Sequence, residues 1–401
     1  MKRQIWIAAL CAAALSVTAC TAKTAAGSGG PAASDPGVTA TTITLGTSNA
    51  LTGPVASVCL PTSAGASAWF QQVNADGGVN GRQIKDTVLD DGYQAPRAAA
   101  NVRTFQSDNV FALFGGCGTT TAAVIASAVK GTDLPYLFPY AALPALVQPA
   151  QANVYALLPL YSDQSRSLVP YVLQRDGSGS VYAVTSEIPG YQDDVDGVKA
   201  GTSAGGGTFS GSTLLPSANA PAQQAALKVG AARPDYAMLT VLAPDAARLL
   251  NAMAAAGTLP RKAVLGVSVL ASESFASALA PSVAALLETA SPTVPATDAR
   301  AAACLAAVRK YSPGTTPDAF ALYGCAAAQV FVTALKSAGQ DPTRAKLEAA
   351  LNAMNNADAS PLLPPVSFSA ADHMGLRSMF LLTLHDGRFS AAGTLPITAL
   401  G

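Results

Sequence analysis

The stretch Phe111-Ala-Leu-Phe-Gly-Gly-Cys-Gly-Thr-Thr-Thr121 carries the most distinctive chemistry in the chain. The apolar run Val110–Phe114 predicts a buried parallel strand, and the Ala-rich segment Ala122–Val129 predicts a helix. Between them lie glycines and three threonines. A strand that ends in glycines and hydroxyls just before a helix gathers backbone N–H groups, O–H donors and a helix dipole at one point. Such a point suits an anionic group, a carboxylate or a phosphate. A plain strand-to-helix turn with a threonine N-cap is the simpler reading of the same residues.

Other reactive residue types are sparse. Asp90 and Asp91 are adjacent carboxylates, read as loop or helix-capping groups rather than as an acid/base pair. Tyr93 follows them in a turn, and Trp69 has core spacing on a helix. The only histidines, His373 and His385, are expected on the surface. No G-x-S-x-G elbow falls at a strand-to-helix turn, and neither H-E-x-x-H nor a phosphate-loop motif occurs. These residues predict no catalysis, no cofactor and no metal. The 401 residues are half apolar and 12% charged, with a formal net charge of zero and no Lys/Arg cluster. Nucleic acid is therefore not an expected partner, since phosphate binding needs a basic stripe.

At the N-terminus, Lys2 and Arg3 precede an apolar run from Ile5 to Leu15 and then Val17-Thr-Ala-Cys20. This predicts a signal peptide over 1–19. The Val-Thr-Ala-Cys ending resembles a bacterial lipobox, which implies cleavage before Cys20 and lipidation of its thiol. Residues 20–37 are small, polar and rich in Gly and Pro, as in a flexible tether. No later segment reads as long and apolar enough to span a bilayer. The expected location is extracytoplasmic, lipid-anchored to the outer face of the cytoplasmic membrane.

That compartment permits disulfides. Cys59, Cys117, Cys304 and Cys325 allow three pairings. The neighbouring segments around Cys304 and Cys325 make that pair the local choice and leave Cys59–Cys117. Zinc is a weak competitor, because there is no C-x-x-C motif.

The elements that must position these residues alternate. Strands are predicted at 42–48, 84–89, 110–114, 134–139, 180–185, 208–215, 236–242 and 263–269, with helices at 62–74, 96–107, 122–129, 162–175, 192–204, 221–229 and 244–256. Strand–helix alternation in two series means an α/β fold of two doubly wound, Rossmann-like lobes with parallel-rich sheets. From about 290 the pattern turns helical (297–311, 317–339, 342–355) and closes in a hairpin around Asp386-Gly387.

In this order the motifs resemble type I periplasmic solute-binding proteins of ABC importers, most of all the branched-chain amino-acid (Leu/Ile/Val) branch. The residues that carry the resemblance are Ile43–Gly46 with Leu51-Thr-Gly-Pro54, Asn74-Ala-Asp-Gly-Gly-Val-Asn-Gly-Arg82, Asp90-Asp91, Gly115–Thr121, Leu134-Pro135, Gly190-Tyr191, Pro234-Asp235 and Asp386-Gly387. The resemblance implies three hinge crossovers. Lobe I would be 38–158 plus 290–374, and lobe II 159–289 plus 375–401. It implies a solute held between closing lobes, with ABC permease and ATPase subunits as partners and a monomeric receptor.

Residue by residue, the resemblance places a ligand-carboxylate hydroxyl at Thr119, with Gly118 and Thr120 beside it. It places backbone contacts at Tyr140 and Ala142, a cleft aromatic at Tyr191 and a pocket rim at Ser57 and Val58. Two positions depart from the amino-acid binders. Ser268 stands where an ammonium-binding carboxylate belongs, and Leu242 where an aromatic does. Glu187, Asp193 and Glu273 are the nearby acids that would substitute. The expected solute is a small carboxylate- or amide-bearing molecule, amino-acid-like, with a branched-chain amino acid as one case. A ligand-sensing subunit that signals to a membrane partner is the alternative, and an extracellular hydrolase a more distant one.

Overall fold

The computed structural model describes residues 35–188, 190–191, 193–216 and 221–398. The predicted signal peptide, Cys20 and most of the tether lie outside the described residues.

Strand and helix alternate from the start: β1 (Thr42–Asn49), α1 (Ala56–Ala75), β2 (Gln83–Asp90), α2 (Ala95–Ser107), β3 (Ala112–Phe114), α3 (Thr119–Val129), β4 (Tyr136–Leu137) and β5 (Val154–Tyr155). The second series runs α4 (Tyr161–Asp176), β6 (Ser180–Ser186), α5 (Asp194–Ala204), β7 (Thr208–Leu215), α6 (Ala222–Ala232), β8 (Tyr236–Thr240), α7 (Ala243–Ala255) and β9 (Ala263–Gly266). Two short helices, α8 (Glu273–Ser277) and α9 (Pro281–Ala284), lead into β10 (Leu287–Ser291). Then come α10 (Ala302–Tyr311), α11 (Ala319–Ser337), α12 (Arg344–Asn352), β11 (Ser378–His385) and β12 (Arg388–Pro396).

These strands build two sheets. One has the order β2-β1-β3-β4-β5 and is wholly parallel. The other runs β12-β11-β10-β9-β8-β6-β7, parallel from β7 to β10 and antiparallel at β11 and β12. A parallel pair needs a crossover, and each helix supplies one while covering a sheet face. The order reverses twice, since β1 lies between β2 and β3, and β6 between β7 and β8. Each reversal opens a crevice at the strands' C-terminal ends, the usual place for a ligand on such sheets. The chain passes between the sheets three times: after β5, after β10 and before β11.

Helices α10 and α11 return to the first sheet's side and pack along α1. The α1–α11 contact is unusually close. A Cβ added to Gly65 would lie 2.0 Å from the Ala321 carbonyl oxygen, and one on Gly324 would lie 1.9 Å from that of Thr62. Around it Phe70, Phe114 and Phe331 meet edge-on or tilted, with centroids 5.0–6.0 Å apart.

Several expectations need correction. Helix α1 starts at Ala56 rather than Thr62 and continues through Pro61. A proline removes one intrahelical bond, and the packing of Val58, Cys59 and Thr62 holds the turn around it. By length and composition α11 could cross a bilayer, which the reading of later segments had excluded; it is a core helix, buried over most of its length. Strand β10 falls where the helical region was expected to begin. His373 is not a surface residue: it is 1% exposed, stacks on Tyr155 at 4.0 Å and places Nδ1 2.9 Å from the Val154 carbonyl. His385 is exposed as expected.

Candidate functional site

The site forms at the two switch points. In the first sheet, β1 and β3 end side by side. The helix after β1 carries Cys59 and the turn after β3 carries Cys117, and the two are joined as a disulfide with Cα atoms 5.2 Å apart. Cys304 and Cys325 form the other disulfide, linking α10 to α11.

After Cys117 comes Gly118, which is the N-cap of α3. The threonines are not caps: Thr119, Thr120 and Thr121 occupy the first helical turn. Gly118 has φ +116°, and an added Cβ would lie 2.8 Å from the Tyr93 ring. Glycine is needed there for both conformation and space. No side chain caps α3 from the N-cap position. Instead the Tyr93 hydroxyl accepts from Thr120 Oγ1 at 3.2 Å.

Tyr93 is itself held in an unusual state. Its φ is +63°, rare for a bulky residue. Asp91, fully buried, fixes it by accepting from the Tyr93 N–H at 2.9 Å and from Ser48 Oγ at 2.8 Å. Asp90 accepts from the N–H groups of Leu51, Thr52 and Gly92 and pairs with Arg97 at 2.9 Å. The two adjacent carboxylates thus shape loops, as their sequence suggested. The hydrogen bonds hold the Asp90 carboxyl down at about 2, while burial raises that of Asp91.

The second sheet contributes the facing wall. The loop after β6 brings Gly190 against the first sheet's side, where an added Cβ would lie 3.0 Å from the Ala142 carbonyl and 3.4 Å from the Thr119 methyl. Tyr191 meets Tyr161 edge-on at 4.6 Å, beside Thr119. Behind this loop, Asp194 opens α5 with its side chain wholly buried, Oδ2 accepting from Thr240 Oγ1. Burial pushes the Asp194 carboxyl up to about 7. Across the crevice, the Tyr140 hydroxyl donates to the Ser268 carbonyl oxygen at 3.1 Å. Tyr140 comes from the first sheet's side, after β4, and Ser268 from the second's, after β9.

Together these groups line a cavity of only about 20 Å³, room for about one water as the walls stand. Its lining brings together Val58, Gly118, Thr119, Tyr140, Tyr191 and Leu242 of the expected residues, and adds Val55, Tyr93, Tyr161, Ala243 and Val269. The other expected residues sit elsewhere. Thr120 bonds Tyr93 at the cavity's edge. Ala142 is buried beneath Gly190. Ser57 lines a separate open groove along α1. Ser268 has its N–H on Gln164 Oε1 at 2.9 Å and its carbonyl on Tyr140. Glu273 lies outside the lining, and burial raises its carboxyl. Among the described residues no group of three or more His, Cys, Asp or Glu is placed to hold a metal.

Residues 42–388 match the family model described as periplasmic binding protein. The chain belongs to the periplasmic binding protein family. Its fold is the type I fold of ABC-transporter solute-binding proteins, which take small molecules outside the cytoplasm and bind substrates rather than transform them.

Solved structures of similar fold bind several kinds of solute. A fatty acid ABC transporter substrate-binding protein from Thermomonospora curvata is 21% identical, with 91% of this chain and 95% of that one covered and a TM-score of 0.80. A solute-binding protein of an ABC transporter from R. palustris, in complex with benzoate, is 21% identical over 90% and 98% with a TM-score of 0.77. A branched-chain amino acid ABC transporter protein from Thermus thermophilus with bound valine is 18% identical over 89% and 97% with a TM-score of 0.79. At these identities the likeness carries the fold alone. No curated protein matches the chain.

Neither Tyr93 nor Tyr161 was among the expected lining residues. The signal for Tyr93 was its place directly after Asp91-Gly92 at a strand end. Tyr161 had none, because it opens a helix beyond a crossover and only the assembled cleft brings it to Thr119.

Proposed function

We propose that this periplasmic binding protein is the substrate-binding lipoprotein of an ABC importer, anchored through Cys20 and delivering its solute to permease and ATPase subunits. Its two bodies, 38–158 plus 290–374 and 159–289 plus 375–401, close on a small carboxylate- or amide-bearing solute. One observation carries this reading. The first turn of α3 and the hydroxyls of Thr119, Tyr93, Tyr161 and Tyr191 converge on one cavity whose remaining walls are apolar. Hydroxyl and N–H donors hold an acyl oxygen, while Val58, Leu242 and Val269 receive a hydrocarbon body. Proteins of similar fold in complex with benzoate and with bound valine support a carboxylate-bearing solute. The lipobox-like Val17–Cys20 supports the anchor.

The test is a thermal-shift screen over amino acids, amides, short aliphatic acids and aromatic acids. A tight solute raises the melting temperature by mass action. Hits confined to these classes support the reading; hits among sugars or polyamines alone contradict it.

A further inference from the structure

We propose a second ligand site on this chain: the open groove beside α1 takes a small organic amine as its ammonium, with Asp318 as the countercharge. The groove lies apart from the cleft, and the proposal does not depend on what the cleft binds.

The first ground is room. The groove holds about 630 Å³ as its walls stand, within the roughly 300–1,000 Å³ of small-molecule sites. One wall is α1, where Ser57, Leu60, Pro61 and Ala64 recur at the spacing of a single helix face. Val55 and Val58, at the start of the same helix, line the cleft cavity instead. The loop between α10 and α11 adds Ser312, Thr315 and Thr316, and α8 adds the Ser274 hydroxyl from the second sheet's side.

The second ground is charge. Asp318 is the one charged residue among the described lining residues. Its side chain is 1% exposed, so it meets the groove only at the floor. Oδ1 accepts from the N–H groups of Phe320 at 3.0 Å and Ala321 at 3.2 Å and so caps α11. Oδ2 takes no hydrogen bond among the described residues. A second acid, Glu273 on α8, is close enough to act on Asp318, and its own Oε2 is buried without a partner. Burial, with the Glu273 charge adding to it, pushes the Asp318 carboxyl up to about 7. A buried carboxylate oxygen with no partner is costly, and an ammonium answers it with both charge and donors. The three N–H donors of an ammonium find Asp318 Oδ2 and the lining hydroxyls as acceptors. Leu51, Leu60 and Val88 then cover a short hydrocarbon body.

Titration calorimetry at pH 8 with 3-methylbutylamine and its neutral counterpart 3-methylbutanol tests this on the wild type, Asp318→Asn and Leu60→Lys. Asparagine caps a helix about as well as aspartate, so Asp318→Asn removes the charge and keeps α11 capped. Leu60 is 48% exposed, so a lysine there brings a positive charge to the groove without entering the core. The wild type is expected to bind one amine per chain, with the alcohol at least roughly 10-fold weaker, and each variant is expected to lose at least roughly 10-fold in amine affinity. With the strongest acid of the solute screen present at saturation, one amine per chain should still bind. No heat from the amine at millimolar concentration overturns the proposal. So do equal affinities for amine and alcohol, or an amine affinity unchanged in both variants. Competition between the amine and the acid overturns it too, because the amine would then occupy the cleft. Leu60→Lys and the wild-type comparison of amine with alcohol keep the test decisive if Asp318→Asn folds poorly.

Discussion

The Tyr140 hydroxyl and the Ser268 carbonyl oxygen, 3.1 Å apart, join the two sides of the cleft. Tyr140 is itself wedged edge-on against Phe320 and Tyr323, so the donor is held rigidly while its acceptor belongs to the other sheet. If a solute enters between these two sides, this bond is expected to part, and its re-formation to favour the closed state.

Tyr140→Phe keeps the ring packing and deletes the bond. Solute affinity is expected to fall by about 1 kcal/mol, roughly five-fold, mostly through faster dissociation. Stopped-flow release of bound solute checks this; an unchanged release rate contradicts it.

The Cys59–Cys117 disulfide ties the two ends of the first switch point together beside Gly118 and Thr119. Replacing both cysteines by serine is expected to lower stability by roughly 3–4 kcal/mol. Weaker solute binding should accompany it, since the loop under the donors is released. Denaturant unfolding and calorimetry measure the two effects separately.

Gly65 and Gly324 let α1 and α11 approach until each glycine faces the other helix's carbonyl oxygen. Gly65→Ala forces the helices apart, with an expected loss of about 2–3 kcal/mol. Chemical denaturation reads it directly, and a loss below 0.5 kcal/mol would show that the helices can separate freely.

Asp194 gives a pH signature. Its carboxyl is raised from 3.8 to about 7 by burial. The folded state thus binds a proton that the unfolded state has lost between these values. This stabilisation is complete below about pH 4 and disappears as pH rises through about 7. Asp194→Asn can still accept from Thr240 but carries no charge. Relative to wild type it should gain roughly 2 kcal/mol of stability between pH 5 and pH 8. An equal difference at both pH values refutes this assignment.

The alternation of apolar runs with helical segments made the parallel sheets legible, because a strand buried on both faces must be apolar throughout. Val181–Val184 and Tyr236–Leu239 show this plainly. The glycine-rich turn at Gly115–Gly118 was legible because positive φ and close approach leave little choice of residue. What escaped was set by tertiary partners. Pro61 masked the start of α1, since local chemistry alone argues against a helix there. Strand β10 pairs on one side with β11, a neighbour far along the chain. His373 looked like a surface residue because nothing local announces the Tyr155 ring above it. Tyr161 entered the site only through a crossover, and the acids expected to replace a missing carboxylate at Ser268 do not line the cavity.

The most direct test of the account is titration of the strongest solute from the screen into wild type and Thr119→Ala. The account predicts one solute per chain. It predicts a loss of about 1–3 kcal/mol in the variant, with the melting temperature of the free protein nearly unchanged. Equal affinity in the two proteins would contradict it, because the first turn of α3 would then be structural and the solute would bind elsewhere.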